Sequence, residues 1–348
     1  MNNQDANSQL VDAIKSALSS RTPLRIRGGK SKQFLSQTRH ASTLDSRDHH
    51  GILHLDTDAM TIRARAGTPL AELNHALDDR GLMLAFEPPA FSATATVGGM
   101  VACGLAGPRR PWAGTVGEHL LGGKIIDGLG QQRGFGIDAT EPMLSGENCQ
   151  LLAGSFGRLG LITEVCLKVR AKPLYSQTLR LEIERSLTLH PMKEWGRYAS
   201  PVSAFCHTGD ALYLRLEGSA ATVRKASDQL GGLETNANLW EELREHRLAF
   251  FRDPRPLWRL SLPEEAPLSL KLPGTLLLEW CGTQHWLKSD APAAAVRRLA
   301  EQLGGYASSF TSGITELPLQ HNPATRTPVL LKLQERLDPY QLFGLLAD

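Results

Sequence analysis

The sequence predicts an α+β fold of two domains, and three features of the chain lead to that prediction. Its 348 residues exceed the roughly 100–200 residues of one ordinary domain. Hydrophobic residues make up 41% and charged residues 21% of the chain, as in folded globular proteins. Segments typical of strands and of helices both occur, and one helical segment recurs in the second half. A wholly disordered or fibrous chain is therefore excluded.

Hydrophobic periodicity places a helix and several strands in the first half. Apolar residues at helical spacing predict the first helix, and alternation of apolar and polar residues predicts the strands. Thr68 and Pro69 form a second helix start, and Gly81 is expected to end that helix. The segment Ala171-Lys172-Pro173 predicts a domain boundary. The first helix is predicted at 8–18 and the strands at 24–27, 52–55, 60–66 and 161–169.

The second half contains an internal repeat. The segment Val223–Gly232 recurs 73 residues later as Val296–Gly305, and each reads as a helix that ends at glycine. Two extended segments precede each helix, within 204–217 and within 275–287. These patterns predict two related β-β-α units that share one antiparallel sheet, with the helices on one face.

Glycine is concentrated in one part of the chain. Of the 32 glycines, 17 lie between Gly81 and Gly160. Turns between short strands are one interpretation, since turns are where glycine most often occurs. The other is a backbone surface that closely approaches a long, flat or phosphate-bearing cofactor. The clustering of the glycines favours the second interpretation without excluding the first.

A basic glycine turn follows the first predicted strand. It reads Arg27-Gly28-Gly29-Lys30-Ser31-Lys32, and it is not a nucleotide P-loop, because the position of the required first glycine is Leu24. Consecutive peptide N–H groups in such a turn can form an anion-binding concavity, to which its basic side chains add positive charge. A solvated basic turn is the equal alternative.

Charge, cysteine content and the N-terminus exclude several functions. Lys and Arg total 38 against 36 for Asp and Glu, so the net charge of +2 gives no general attraction to nucleic acid. The five cysteines include no C-x-x-C pair, so neither an iron–sulfur nor a zinc site is expected, and no other metal motif occurs. The uncharged run 88–108 is too poor in helix formers for a transmembrane helix. Because no secretion signal is visible, a cytoplasmic location is expected.

The motifs do not identify a catalytic residue. His119, His207 and His285 are each possible bases, but a lone histidine is more often structural. The cluster Arg109-Arg110-Pro111-Trp112 follows the glycine-rich run. An arginine in this cluster either grips a substrate carboxylate bidentately or holds a loop by its backbone carbonyls.

Three segments, in this order, resemble the cofactor segments of the FAD-linked oxidases of the vanillyl-alcohol oxidase type. They are Arg27-Gly28-Gly29-Lys30-Ser31, the run from Ala95 to Ala102, and the run from Gly154 to Val165. The run from Gly99 to Trp112 is similar to the FAD-binding subunits of bacterial glycolate oxidases. That likeness extends over essentially the whole chain.

The resemblance implies a two-lobed FAD-binding module of the PCMH type over residues 1–171, with lobes of about 1–80 and 81–171. A cap domain is implied at 172–320, and the segment 321–348 is implied to return to the first module. FAD is implied to bind noncovalently, because Lys30 stands where some members carry the histidine that bonds to flavin. The implied cofactor-binding residues are Arg27, Gly28, Gly29, Lys30, Ser31 and Lys32 at the pyrophosphate, Thr96, Val97, Gly98, Gly99 and Val101 at the flavin and ribityl chain, and Gly157, Gly160 and Ile162 at the adenine.

A function also follows from the resemblance. It implies oxidation of a small 2-hydroxy acid, glycolate to glyoxylate, by hydride transfer to FAD. Electrons are implied to pass to a separate iron–sulfur subunit, in a complex that also contains a sister FAD subunit. Through these partners the chain is expected at most to lie peripherally at the inner membrane.

One stretch departs from the family pattern. Glycolate oxidase subunits carry a lysine-containing run between positions 136 and 154, whereas this chain has Asp138, Glu141 and Glu147 there. Acidic residues beside the flavin would alter flavin affinity and redox tuning. The alternative function is therefore a noncatalytic structural subunit with a weakened FAD site, which supports a sister flavoprotein.

Overall fold

The computed structural model of the chain describes residues 3–35, 41–185, 201–267, 269–319 and 328–344. No helix within these ranges is long and apolar enough to cross a membrane. The helices are α1 (Asn7–Ser19), α2 (Leu70–Asp78), α3 (Val97–Cys103), α4 (Arg110–Ala113), α5 (Val116–His119), α6 (Ala220–Leu230), α7 (Leu239–Arg244), α8 (Ala293–Gln302) and α9 (Pro328–Leu337). The strands are β1 (Leu24–Arg27), β2 (Ser42–Asp45), β3 (Ile52–Asp56), β4 (Thr61–Arg65), β5 (Leu82–Met83), β6 (Leu120–Ile126), β7 (Gln132–Gly136), β8 (Leu161–Lys168), β9 (Arg170–Ala171), β10 (Tyr175–Leu181), β11 (Val202–His207), β12 (Leu212–Gly218), β13 (Leu233–Thr235), β14 (Leu257–Ser261), β15 (Thr275–Glu279), β16 (Gln284–Lys288) and β17 (Tyr306–Ser309).

A five-stranded antiparallel sheet, in the order β3-β4-β8-β6-β7, organises the first half. The central strand β8 is buried at nearly every position, which explains why most of its residues are apolar. Leu73 and Leu77 of α2 pack in the same core cluster as Val165 of β8. The helix start predicted at Thr68 and Pro69 and the strands predicted within 52–66 and 161–169 are confirmed.

A small parallel sheet of β1 and β2 lies beside α1. Its register pairs Leu24 with Ser42 and Arg27 with Asp45. The buried face of α1 supplies Leu10 and Ile14 to the cluster that also contains Leu24. The helix predicted at 8–18 and the strand predicted at 24–27 are therefore confirmed. The strand ends at the basic glycine turn, which it holds at the edge of this cluster.

The second half is one eight-stranded antiparallel sheet in the order β13-β10-β12-β11-β15-β16-β14-β17. The predicted repeat is confirmed and is larger than expected. Each unit has three strands, a helix and a fourth strand, so that the two halves of the strand order mirror each other about the β11–β15 pair. Val223 of α6 and Val296 of α8 are fully buried against the same face of the sheet, through neighbouring core clusters.

The chain passes from the first half to this sheet between β9 and β10. The predicted boundary at Ala171-Lys172-Pro173 falls in this connection. The division into domains at 171 and 320 remains a prediction.

A buried cluster of four charges joins the two halves. Arg109 donates to Glu217 Oε1 at 2.7 Å and to Glu87 Oε1 at 3.2 Å. Arg215 donates to Glu87 Oε2 at 3.0 Å and to Ser203 Oγ at 2.9 Å. The side chains of all four charged residues are at most 9% exposed. Arg109 thus holds carboxylates of its own chain, which leaves its guanidinium engaged and unavailable for a substrate.

Candidate functional site

A cavity of about 390 Å³ lies between the basic glycine turn, the N-terminal part of α3 and the segment 156–162. Its volume is within the range of roughly 300–1,000 Å³ that is usual for cofactor pockets. All but two of the predicted cofactor-binding residues line it. These lining residues are Arg27, Gly28, Gly29, Lys30, Ser31, Lys32, Thr96, Gly98, Gly99, Gly157, Gly160 and Ile162.

Val97 and Val101 are the two predicted residues that do not line the cavity. Both are fully buried in the core cluster beneath the five-stranded sheet. They stand one helical turn apart on α3 and therefore share its core-facing side. The cavity instead meets Gly98, Gly99 and Ala102.

Close backbone contacts explain both glycines of the basic turn. A Cβ atom on Gly29 would lie 1.6 Å from the carbonyl oxygen of Thr94, and one on Gly28 would lie 2.5 Å from Thr96 Oγ1. The Thr94 hydroxyl also donates to the Gly29 carbonyl at 2.6 Å. Lys30 then takes a left-handed φ of 59°, which turns the chain. These two glycines allow the turn to pack closely against the segment that precedes α3.

The turn presents unpaired donors to the cavity. Within the described part of the chain, the peptide N–H groups from Gly28 to Lys32 donate to no protein atom. The Nε atom of Arg27 is buried without a hydrogen-bond partner, and Asp45 Oδ2 lies 3.8 Å from it. Consecutive N–H groups without a protein acceptor, next to the buried Arg27 Nε, point to an anionic ligand at the turn.

Gly98 and Gly99 differ in what surrounds them. A Cβ atom on Gly98 would lie 2.6 Å from the Cβ of Ala66, so this glycine lets α3 pack closely on the end of β4. A Cβ atom on Gly99 would meet only Thr96 Oγ1, at 3.1 Å. The Thr96 hydroxyl is the N-cap acceptor of α3, with the Gly99 N–H as its donor. Gly99 therefore leaves space in the cavity, whereas Gly98 serves packing.

We expect Gly99→Leu to block the cavity without unfolding the chain. The new side chain would project into the space that the lining residues enclose, so retention of a bound cofactor should fall at least tenfold. Gly98→Leu is the matched control, because overpacking against Ala66 should cost about 1–3 kcal/mol of stability. Urea unfolding and cofactor content of the two variants check this. Equal cofactor retention by Gly99→Leu and the native chain would contradict it.

The far end of the cavity is closed by the C-terminal part of the chain. Leu342 and Phe343 line it and are buried, and the N–H of Leu24 donates to the Leu342 carbonyl at 2.8 Å. The carboxylate of Asp338 accepts from the N–H groups of Leu342 and Phe343 at 2.7 and 2.8 Å. Burial raises the pKa of Asp338. Gly157, with φ of 77°, lies at this end against Ile26.

Lys32 and Cys103 lie at the opposite end. The Lys32 ammonium donates to the Ala90 carbonyl at 3.3 Å and lies 5.5 Å from the ring centroid of Phe91. Burial lowers the pKa of Lys32. Burial also disfavours the charged form of Cys103, and it raises the pKa of this thiol to about 11. The thiol is therefore neutral at ordinary pH. Lys32 is thus the cation at the end that faces the eight-stranded sheet.

Two acidic residues of the stretch, Asp138 and Glu141, lie outside the cavity. Neither is among its lining residues. The Asp138 carboxylate accepts two hydrogen bonds from Arg63, at 2.9 and 3.0 Å. Glu141 is paired with Arg133 and with Arg336. These two carboxylates are neutralised by arginines within the chain and are not directed at the cavity.

A second, smaller cavity of about 20 Å³ lies between the eight-stranded sheet and the segment 89–107. Its polar lining includes Arg259, Glu279 and Gln284 from three strands and His246 after α7. His246 has a left-handed φ of 55° and stacks on Phe251 at 4.2 Å between ring centroids. Burial lowers the pKa of His246 to about 3 and raises that of Glu279 to about 7.

The sequence interpretation missed these residues. Each stands alone in its segment, and only the strand register brings them together: Arg259 pairs with Trp286, and Gln284 pairs with Glu279. A polar residue in an otherwise apolar strand was the available signal. Of the histidines considered earlier, His119 and His207 contact backbone carbonyls of Ala113 and Ile183 at 2.7 and 2.9 Å.

Glu279→Gln should change how stability depends on pH. Because the pKa of Glu279 rises from 4.5 to about 7 on folding, the folded chain holds a proton there that the unfolded chain has lost. The free energy of unfolding of the native chain should therefore fall by on the order of 3 kcal/mol as pH rises from 4.5 to 7, because of this one group. The Gln variant lacks that loss, so its stability relative to the native chain should increase across this window.

Urea unfolding at pH 5 and pH 8 checks the prediction. Glu241→Gln is the control, because Glu241 is exposed and paired with Arg247. A stability difference between Glu279→Gln and the native chain that is the same at both pH values would contradict it.

Comparisons with known proteins identify the relatives of the chain. Residues 5–136 match a family model described as FAD binding domain. The chain is 41% identical over 340 residues to glycolate oxidase subunit GlcE of Escherichia coli (strain K12), with 98% of this chain and 96% of that protein covered. Alkyldihydroxyacetonephosphate synthase of Trypanosoma brucei brucei is 24% identical over 153 residues, which cover 42% of this chain and 24% of that protein. A solved structure of an alkyldihydroxyacetonephosphate synthase has a TM-score of 0.67 at 13% identity, covering 98% of this chain and 74% of that chain, which shows the fold alone.

FAD is thus the cofactor of this domain, and the cavity fits it. The cavity has N–H groups without protein acceptors, and Arg27 Nε, at the turn for phosphate oxygens. Apolar residues of β8 and of the C-terminal part close one end. Among the described residues, no group of three or more His, Cys, Asp or Glu side chains is placed to hold a metal ion.

Proposed function

Because the chain belongs to the family of glycolate oxidase subunit GlcE, we propose that it is the FAD-binding subunit of a glycolate oxidase-like complex. The reaction is the oxidation of a small 2-hydroxy acid, glycolate to glyoxylate. The array of unpaired N–H groups beside the cavity is the observation that carries the proposal, because it prepares the chain for a pyrophosphate.

Each part of the cavity has a task in this proposal. The turn from Arg27 to Lys32 binds the pyrophosphate, and Gly99 leaves room for the ribityl chain and flavin. Gly157, Gly160 and Ile162 receive the adenine. Binding is noncovalent, because Lys30 stands where covalent members have histidine. FAD, when bound, supplies the two-electron acceptor for the hydride that leaves C2 of the acid, while the hydroxyl proton is lost to a base.

Onward electron transfer requires another chain. The five cysteines are all free, and the described ones do not converge into a cluster. An iron–sulfur centre needs several cysteine thiolates at one place. We therefore place the iron–sulfur carrier on a partner subunit, next to a sister FAD subunit.

A visible spectrum tests the proposal. The purified chain, incubated with FAD and freed of excess by gel filtration, should show flavin absorbance. The assembled complex should then lose that absorbance on anaerobic addition of glycolate. A chain that retains no flavin, alone and with its partner subunits, would overturn the proposal.

A further inference from the structure

Arg259 is a buried cation that no other described residue neutralises. Its Nε atom is buried without a hydrogen-bond partner, and none of the ion pairs in the described ranges includes it. The Phe310 ring, with its centroid 5.2 Å from the guanidinium carbon, is its close aromatic contact. An unpaired buried charge is costly, so natural chains keep one where something outside the chain completes it.

The obvious internal partner of Arg259 is engaged elsewhere. The Oε2 atom of Glu279 accepts hydrogen bonds from Gln284 Nε2 at 2.9 Å and from Trp286 Nε1 at 2.5 Å. Both donors are neutral. These contacts hold the carboxyl in the lining of the same cavity as Arg259, and no ion pair between the two is formed in the described part of the chain. The amide of Gln284 is oriented by the same contact, and its Oε1 atom is buried without a donor.

A second unpaired arginine adds to the positive charge. Arg110 lies over the Trp280 ring, 4.5 Å from its centroid, and it has no side-chain hydrogen bond or ion pair among the described residues. It lies close enough to lower the pKa of Arg259. Arg110 is not among the lining residues of the second cavity, but its charge adds to the positive potential around Arg259.

We propose that Arg259 binds the carboxylate of a small 2-hydroxy acid in the second cavity, and that Gln284 Oε1 accepts a hydrogen bond from the hydroxyl of that acid. The inference rests on the proposed function and names a ligand subsite for it. A guanidinium offers two parallel N–H donors, which match the two oxygens of a carboxylate. The cavity of about 20 Å³ holds little more than one water-sized group as it stands, so its neighbours must move apart slightly and the acid must be compact.

Calorimetric titration of glycolate tests this inference. The FAD-loaded chain is first reduced with dithionite under anaerobic conditions, so that glycolate binds and no oxidation can occur. Glycolamide, which keeps the hydroxyl and lacks the charge, is the control ligand. Arg259→Met should raise the Kd for glycolate at least tenfold, and Arg259→Lys should restore part of the affinity. Arg255→Met is the matched control, because Arg255 lies just before the same strand and is paired with Asp253.

Thermal unfolding separates a ligand role from a structural role. Since Arg259 lacks an internal partner, Arg259→Met should unfold at the same or a higher temperature than the native chain. A lower Tm for Arg259→Met would assign it a structural role and overturn the inference. Glycolate affinity within twofold of native in Arg259→Met, or no glycolate binding by the native chain, would also overturn it.

The two proposals fail in different ways. Absence of flavin absorbance would overturn the proposed function. In that case, calorimetric titration of glycolate into the chain as purified still tests whether Arg259 binds the acid. If the complex oxidises glycolate while Arg259→Met binds it normally, this inference fails alone.

Discussion

Arg109→Met is expected to lower the free energy of unfolding by about 3–5 kcal/mol, because it leaves two buried carboxylates without their shared cation. Arg109 donates to both Glu87 and Glu217, and its own side chain is 3% exposed. Arg215 remains, but one guanidinium cannot neutralise two carboxylates. The loss should also loosen the contact between the two halves of the chain, since the cluster has members in each.

Denaturant unfolding measures this loss of stability. A second substitution tests whether the unpaired carboxylates cause it. Adding Glu217→Gln to Arg109→Met removes one of the stranded charges, so the double variant should recover part of the stability. Arg247→Met is the surface control, because exposed ion pairs contribute only about 0–1 kcal/mol. A cost below 1 kcal/mol for Arg109→Met, or no recovery in the double variant, would contradict the assignment.

This cluster shows where reasoning from the sequence stops. The arginine cluster at 109–112 suggested a carboxylate or backbone partner, and Arg109 does hold carboxylates. Those carboxylates belong to residues 22 positions before it and 108 positions after it in the chain. No local pattern connects them, because only the packing of the eight-stranded sheet on the first half brings them together.

The glycine-rich elements could be predicted because their geometry is local. Consecutive N–H groups in a turn converge whatever the rest of the fold does, so the segment from Arg27 to Lys32 was identified from its residues and its family resemblance. The repeat could be predicted for the same reason, since each helix and its two preceding strands are contiguous. The first and fourth strands of each unit were missed because they are short or separated from the helix.

Helical spacing also bears on which side chains of α3 face the cavity. Val97 and Val101 are four residues apart, so helical spacing alone would have placed both on one face. That face is apolar and lies in the core, while Gly99, Ala102 and Cys103 turn to the cavity. A motif therefore predicts which segment lies at a ligand. Helical periodicity then predicts which side chains of that segment face the ligand.

The departure from the family pattern at 138–148 has a structural consequence different from the one expected. Asp138 is bound by Arg63 and Glu141 by two arginines, so neither carboxylate is directed at the cavity. These two residues therefore give no reason for a weakened FAD site. The alternative of a noncatalytic subunit then depends on whether the second cavity binds an acid, which is what the Arg259 titration decides.

Gly29→Ala is expected to weaken FAD binding by about 100-fold while leaving the chain folded. The added Cβ would stand 1.6 Å from the Thr94 carbonyl oxygen, and backbone on both sides leaves no flexible side chain to give way. Restoring ordinary contact requires the turn to retreat by more than about 1.5 Å. Such a shift removes the peptide N–H groups from hydrogen-bond reach of phosphate oxygens, and misplacement by 1 Å can cost about 100-fold.

Fluorescence titration with FAD and urea unfolding together check this prediction. Gly313→Ala is the matched control, because a Cβ there meets no atom within 4 Å and Gly313 also lies far along the chain from the cavity-lining segments. The left-handed φ of 78° at Gly313 adds backbone strain that Gly29 does not have, so a loss of FAD affinity seen only in Gly29→Ala reports the contact with Thr94. FAD affinity in Gly29→Ala within threefold of the control would show that phosphate recognition does not depend on the position of this turn.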